Sequence, residues 1–111
     1  MWRRFERPIL IAETGAEGSG RASWLHYVCC EVRAAMGEGV TVEGLCLYPI
    51  LDYHGWANDR LCATGLLSSP DEAGVRRVHQ PLADELQAQA RRFAADLASS
   101  GPTGRRIQAV A

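Results

Sequence analysis

Residues 7–15 read RPILIAETG, and this segment gives the most direct indication of the fold class. Four consecutive apolar residues, 9–12, show no polar alternation, which predicts a strand buried on both faces, as in parallel α/β sheets. This strand places one carboxylate, Glu13, at its C-terminal end, before a turn at Gly15. Because active sites in parallel sheets gather at the carboxyl ends of the strands, Glu13 is a candidate catalytic group. Charged residues also end strands without any catalytic role, so that alternative stays open.

The composition predicts one small soluble globular domain. The chain has 111 residues, 47% hydrophobic residues and a net charge of −1, which suits a single compact domain. All 12 basic residues are arginines, scattered along the chain, so neither nucleic acid nor a membrane is indicated as a partner. No apolar run is long enough to span a membrane and no signal-type segment opens the chain, so we expect a cytoplasmic protein.

A helix and a second strand are predicted after the first strand. Apolar residues recur at helical spacing over residues 21–36, and Gly37 ends this segment. A second apolar run, 42–50, contains Gly44 and Pro49, which argue against an exposed antiparallel strand. The predicted order is therefore strand, helix, strand. The helix face expected to lie in the core comprises Trp24, Leu25, Val28, Val32 and Ala35.

A long loop and a last helix complete the predicted order. Residues 51–70 form a loop whose density of polar and aromatic side chains is unusual for a connector. Apolar residues at helical spacing predict a helix over 78–97. We expect residues 1–98 to form the folded segment and residues 99–111 to be a flexible tail. The apolar face of the last helix comprises Leu82, Leu86, Ala90, Phe93 and Leu97.

Two parallel strands covered by two helices leave both edges of the sheet open. Such a chain either dimerises to complete its sheet or forms the end part of a larger barrel. The order of strands and helices does not decide between dimerisation and a larger barrel.

Four segments of the chain carry a resemblance to one family. Together they resemble the C-terminal part of bacterial β-glucosidase-like glycoside hydrolases, of the clan built on the (β/α)8 TIM barrel. The resemblance implies an α/β fold that is the C-terminal βαβα portion of such a barrel, and therefore an incomplete barrel. Because residues 1–8 resemble the end of the sixth barrel helix, it also implies that the chain is either a truncated gene product or a C-terminal fragment of a longer reading frame. The segments are IAETG at 11–15, WLHYVCCEVRAAMGEGV at 24–40, VEGLCLYPILDYHGW at 42–56 and DRLCATGL at 59–66.

The resemblance implies a retaining β-glycosidase chemistry with Glu13 as the nucleophile. Such an enzyme also needs a carboxyl that acts as acid and then as base, about 5 Å from the nucleophile. In the clan this group ends the fourth strand, which lies in a segment that this chain does not contain, so we expect weak or no hydrolysis by the chain alone. By the same resemblance Trp56 packs against the sugar. The predicted substrate-binding residues are Trp56, Asp52, Asp59, Arg21 and Tyr48.

The role of Arg21 has two alternatives. If Arg21 reaches back to Glu13, its positive charge holds that carboxylate ionised, as a nucleophile requires. Alternatively Arg21 forms an ordinary surface pair with Glu17, four residues before it.

Cysteines and histidines raise the question of a metal site. A zinc site could combine His54 with Cys62, or His26 with Cys30. The four cysteines match no CxxC spacing, so free and partly buried thiols are the preferred interpretation. We predict no metal and no cofactor.

Three functions follow from these observations. The preferred one is a glycoside hydrolase fragment whose partner is a β-glycoside carbohydrate. The second is a non-catalytic interaction module or split-barrel subunit, which completes its sheet by self-association or by joining a chain that carries the earlier barrel strands. The third is a thiol or metal protein.

Overall fold

The computed structural model describes residues 2–99, so almost all of the predicted tail lies outside the described residues. The elements, in chain order, are helix α1 (Trp2–Phe5), strand β1 (Ile9–Thr14), a 3-10 turn (Gly18–Gly20), helix α2 (Arg21–Gly37), strand β2 (Val42–Leu47), strand β3 (Tyr53–His54), strand β4 (Leu61–Cys62) and helix α3 (Gln80–Ser99).

The two longer strands form a parallel pair that α2 connects. In this pair Ile9 lies opposite Val42, and Thr14 lies opposite Leu47. The predicted strand–helix–strand unit is therefore confirmed. Within the predicted loop, β3 and β4 pair as a short antiparallel hairpin in which Tyr53 lies opposite Cys62.

The first strand is less buried than its sequence indicates. The side chain of Leu10 is 63% exposed, and among residues 2–99 β1 pairs only with β2. Consequently one edge and part of one face of β1 meet solvent, and the prediction of burial on both faces is wrong. The apolar run has the composition of a central strand, but no second neighbouring strand in the described residues covers it.

The second strand ends at Leu47, three residues before the end of the predicted apolar run. Tyr48 adds one more contact, since its amide donates to the Thr14 carbonyl over 2.9 Å. The next residue, Pro49, follows a cis peptide bond and has no N–H to continue the ladder. The ladder therefore stops at the point where Tyr48 meets the end of β1.

The hydrophobic core lies between the two long helices and β2. Leu25 and Leu82 are each 1% exposed and Cys29 is 2% exposed. Burial of each leucine stabilises the fold by about 2 kcal/mol. The partly buried side chains that pack on this core are Leu45, Leu47, Leu66, Leu86 and Phe93.

Polar contacts also join α2 to α3. Arg33 donates from Nη1 to Oε1 of Gln89 over 2.6 Å, and the Gln89 side chain is almost completely buried. Nearby, Nδ1 of His26 lies 2.9 Å from Oε1 of Glu85. The interface between the helices is therefore apolar at its centre and hydrogen-bonded at its side.

The architecture is a mixed α/β segment with a small parallel sheet. Residues 2–99 form no closed barrel, because their sheets contain two strands each. Among these residues, no helix is both long enough and apolar enough to cross a membrane.

Candidate active site

An open cleft of about 460 Å³ lies at the carboxyl ends of β1 and β2. The β3–β4 hairpin contributes one of its walls. This is the end at which parallel sheets bind ligands, because the loops that follow the strands meet there. The side chains that give the cleft its chemistry are Glu13, Glu17, Trp24, Tyr48, Tyr53 and Thr64.

The carboxylate of Glu13 is accessible in this cleft. Glu13 is the penultimate residue of β1 and is exposed. Among residues 2–99 its side chain has no hydrogen-bond or ion-pair partner. A carboxylate in this position can approach a ligand without first breaking an internal contact.

The turn at Gly15 brings Tyr48 beside the strand that carries Glu13. A Cβ atom at position 15 would collide with the main-chain carbonyl oxygen of Tyr48. Only glycine allows the two chain segments to approach so closely. The structure therefore brings two of the predicted site residues, Glu13 and Tyr48, to one cleft.

Trp24 lines the cleft, and the prediction that it lies in the core is wrong. Its side chain is 42% exposed, and its indole Nε1 donates to Oγ1 of Thr14 over 2.8 Å. Trp24 begins the apolar stripe of α2, but it lies in the first turn, beside the carboxyl end of β1. The residue that continues the stripe inward is Leu25, and Leu25 is buried.

The second carboxylate of the cleft, Glu17, is bound by Arg60. The guanidinium donates from Nη1 to Oε1 over 2.5 Å and from Nη2 to Oε2 over 3.2 Å. The hydrogen bond from Arg60 lowers the pKa of Glu17, and the same bond raises the pKa of Arg60. Glu17 is therefore charged at neutral pH. Sequence analysis missed this contact because 43 positions separate the two residues and no local spacing signals it.

Arg21 forms neither of the two ion pairs predicted for it. Its guanidinium donates to the carbonyl of Gly18 over 2.7 Å and to that of Gly65 over 2.6 Å, and it lies 3.8 Å from a carboxylate oxygen of Asp52. Asp52 also accepts a hydrogen bond from the Gly65 amide over 2.7 Å. Arg21 therefore contacts neither Glu13 nor Glu17, and the half-buried pair of Arg21 and Asp52 holds the surrounding loops together.

The remaining predicted substrate-binding residues lie on the β3–β4 hairpin. Trp56 is 96% exposed and does not line the cleft. The main-chain oxygen of Asp59 lies 3.1 Å from Nδ1 of His54, which stabilises the hairpin. Substrate contact stays a prediction for four residues, Trp56, Asp59, Asp52 and Arg21. By contrast Tyr53, which was not predicted as a site residue, forms part of the cleft wall.

All four cysteines are free thiols. Within residues 2–99, no group of three or more His, Cys, Asp or Glu side chains is arranged to hold a metal ion.

The fold and the position of the cleft are typical of parallel α/β proteins. Parallel strand–helix–strand units occur in α/β barrels and in open parallel sheets, and both bind ligands at the carboxyl ends of their strands. Three solved structures share this fold over most of the chain. Fpglu1 from Fervidobacterium pennivoraus superposes with a TM-score of 0.67 and 22% identity over 82% of this chain. The β-glycosidase BGL167 superposes with a TM-score of 0.70 and 17% identity over 82% of this chain, and the β-glucosidase 1317 with 0.65 and 22% over 79%.

The chain thus has the fold of one part of β-glycosidases and β-glucosidases, which confirms the resemblance predicted from the sequence at the level of the fold. It spans 20–23% of the length of these three structures. No protein-family model matches the chain, and no curated protein matches its sequence.

Proposed function

We propose that this chain supplies the nucleophile side of a retaining β-glycosidase active site, with Glu13 as the nucleophile. The observation that carries the proposal is the position of Glu13: an accessible carboxylate without an internal partner among residues 2–99, at the carboxyl end of a parallel strand. The fold shared with part of β-glycosidases supports the same assignment.

The walls of the cleft suit a sugar. Aromatic rings pack against the apolar face of a pyranose, while carboxylates and hydroxyls bind its polar edge. Trp24, Tyr48 and Tyr53 supply the rings, and Thr64 supplies a hydroxyl. The proposed substrate class is a β-glycoside, as the resemblance implies.

Among residues 2–99, the cleft contains no carboxyl group that is free to act as the general acid for the leaving group. Glu17 is the other carboxylate there, and its bond to Arg60 keeps it ionised. A general acid must carry its proton at the working pH. We therefore propose that Glu13 reacts with glycosides whose leaving group departs as an anion, whereas unactivated glycosides need an acid from a segment outside this chain.

The test uses 2,4-dinitrophenyl 2-deoxy-2-fluoro-β-glucoside as the probe. A Glu13 oxygen attacks the anomeric carbon, the bond from that carbon to the aryl oxygen breaks, and dinitrophenolate leaves with the electron pair. No proton is needed. The 2-fluoro group slows hydrolysis of the resulting ester, so the adduct accumulates.

Intact-mass measurement should show one fluoroglucosyl adduct, and peptide mapping should place it on Glu13. Glu13→Gln should abolish the adduct, while Glu31→Gln, an exposed glutamate on α2 outside the cleft, should leave it unchanged. Failure of the wild-type chain to form the adduct, or equal labelling of Glu13→Gln, would overturn the proposal.

A further inference from the structure

Three contacts join the loop after β1 to the β3–β4 hairpin and the loop that follows it. Two of them are hydrogen bonds from the guanidinium of Arg60 to the carboxylate of Glu17. Beside this ion pair the Gly18 amide donates to the carbonyl of Ala63 over 2.8 Å. The loop that follows the strand of Glu13 and the opposite wall of the cleft therefore contact each other directly.

Arg60 is also part of the hairpin structure. Its main-chain carbonyl accepts a hydrogen bond from the Gly55 amide over 2.9 Å, and its neighbour Leu61 begins β4. The opposite strand contains Tyr53, a wall residue of the cleft, which pairs with Cys62. The Arg60 side chain therefore links the hairpin that carries Tyr53 to Glu17 in the loop after β1.

The ion pair is exposed, with 58% of the Arg60 side chain and 43% of the Glu17 side chain accessible. Exposed ion pairs add little to global stability and are screened by salt. Two parallel hydrogen bonds to one carboxylate nevertheless restrict the relative orientation of the partners. The contact thus affects the geometry of the cleft more than the stability of the fold.

We propose that Arg60 is a positioning residue, which by binding Glu17 holds the β3–β4 hairpin and Tyr53 in place across the cleft from Glu13. The inference rests on the proposed function for its catalytic consequence, since Arg60 acts on the reaction through Glu17 and Tyr53. The proposed restraint of the hairpin by Arg60 does not depend on any reaction.

The test compares four variants: Arg60→Gln, Glu17→Gln, the double charge exchange Glu17→Arg with Arg60→Glu, and the control Arg91→Gln. Arg91 is exposed on α3, away from the cleft. The first measurement is amide hydrogen exchange by NMR at Gly18 and Gly55, which report the contact between the loops and the interior of the hairpin. The second is the second-order rate of Glu13 labelling by the dinitrophenyl fluoroglucoside.

Arg60→Gln should accelerate exchange at both amides and slow labelling by about two- to fivefold. The charge exchange should restore at least half of each loss, because the same two groups meet with reversed charges. In the wild type, concentrated salt should reproduce the effect of Arg60→Gln, while that variant should itself be insensitive to salt. Arg91→Gln should match the wild type throughout.

Unchanged exchange in Arg60→Gln, or no recovery in the charge-exchanged variant, would overturn the positioning role. If the wild type is not labelled at all, the proposed function fails, and the exchange data still decide whether Arg60 restrains the hairpin.

Discussion

The indole Nε1 of Trp24 donates a 2.8 Å hydrogen bond to Oγ1 of Thr14. This bond joins the start of α2 directly to the end of β1. Thr14 is the last residue of β1 and follows Glu13 directly. The first turn of α2 is therefore hydrogen-bonded to the end of the strand that carries the proposed nucleophile. Since Trp24 is also part of the cleft wall, the bond fixes one aromatic surface relative to the carboxylate.

Thr14→Val should loosen this arrangement while keeping the shape of the side chain. Loss of one hydrogen bond should destabilise the fold by about 1 kcal/mol, measured by urea unfolding, and should change the tryptophan fluorescence. The rate of Glu13 labelling should also fall. Thr41→Val, at an exposed position outside the cleft, is the matched control. Equal fluorescence and labelling in the two variants would show that the bond has no positioning role.

Gly65→Ala should be strongly destabilising. A Cβ atom at position 65 would collide with the main chain at Leu51 and Asp52, and would lie 2.7 Å from the Leu67 carbonyl oxygen. Because backbone atoms cannot move aside as a flexible side chain can, the loss should be about 3 kcal/mol or more.

Gly37→Ala is the matched control for Gly65→Ala. A Cβ there meets nothing within 4 Å, and Gly37 is the last residue of α2, so alanine should leave stability unchanged or raise it by up to about 1 kcal/mol. Thermal unfolding followed by circular dichroism compares the two, and a Gly65→Ala midpoint close to that of Gly37→Ala would contradict the packing seen around Gly65.

Glu85 should make the packing of α2 on α3 sensitive to acid. Burial raises the pKa of Glu85, but hydrogen bonds from Gln89 and His26 outweigh it, so the net pKa lies below the ordinary value of 4.5. A carboxyl whose pKa is lowered by folding contributes stability above its unfolded pKa, and this contribution is lost as the pH falls through the folded pKa.

The free energy of unfolding should therefore fall more steeply below pH 4.5 in the wild type than in Glu85→Gln, which cannot ionise. Urea unfolding at several pH values measures the difference between the two proteins. Asp84→Asn is the control for a carboxylate on the same helix that is exposed to solvent. Parallel curves for the wild type and Glu85→Gln would show that the contacts of Glu85 do not favour its charged form.

The cysteines should differ widely in reactivity. Cys46 is exposed on β2, whereas Cys29 is buried and burial raises the pKa of its thiol. Since the thiolate is the reactive form, iodoacetamide at neutral pH should modify Cys46 first and Cys29 last. Peptide mapping after brief exposure gives the order. Modification of Cys29 as early as Cys46, in a protein that stays folded, would contradict the core packing around α2.

The open edge of β1 should drive association of the isolated chain. An unpaired strand edge with exposed apolar side chains is a template for further strand pairing, and Leu10 is 63% exposed there. Light scattering should give a mass above that of one chain, 12.1 kDa. Leu10→Glu should lower that mass, whereas Val75→Glu, at an exposed apolar position in a loop, should not. A monomer at all concentrations would show that the open edge has no such role.

Much of the fold was predictable because its signals are local. Apolar residues at helical spacing identified α2 and α3 to within about two residues of their ends, a normal margin for such boundaries. The uninterrupted apolar run of β1 and the Gly- and Pro-containing run of β2 predicted two parallel strands, and Glu13 at the end of the first run lies in the cleft. Burial was harder to predict, as Leu10 and Trp24 show, because an apolar side chain is buried only where another layer of the fold covers it.

The amino-acid sequence alone determined the order of elements and the carboxylate at the end of β1, because hydrophobic periodicity and turn residues act over a few neighbouring positions. The side chains that surround this carboxylate are set by contacts between distant parts of the chain. The pairing of Arg60 with Glu17 and of Arg21 with Gly65 joins positions 43 and 44 residues apart. Such contacts depend on how the loops at one end of a parallel sheet converge, and no local pattern in the chain encodes that convergence.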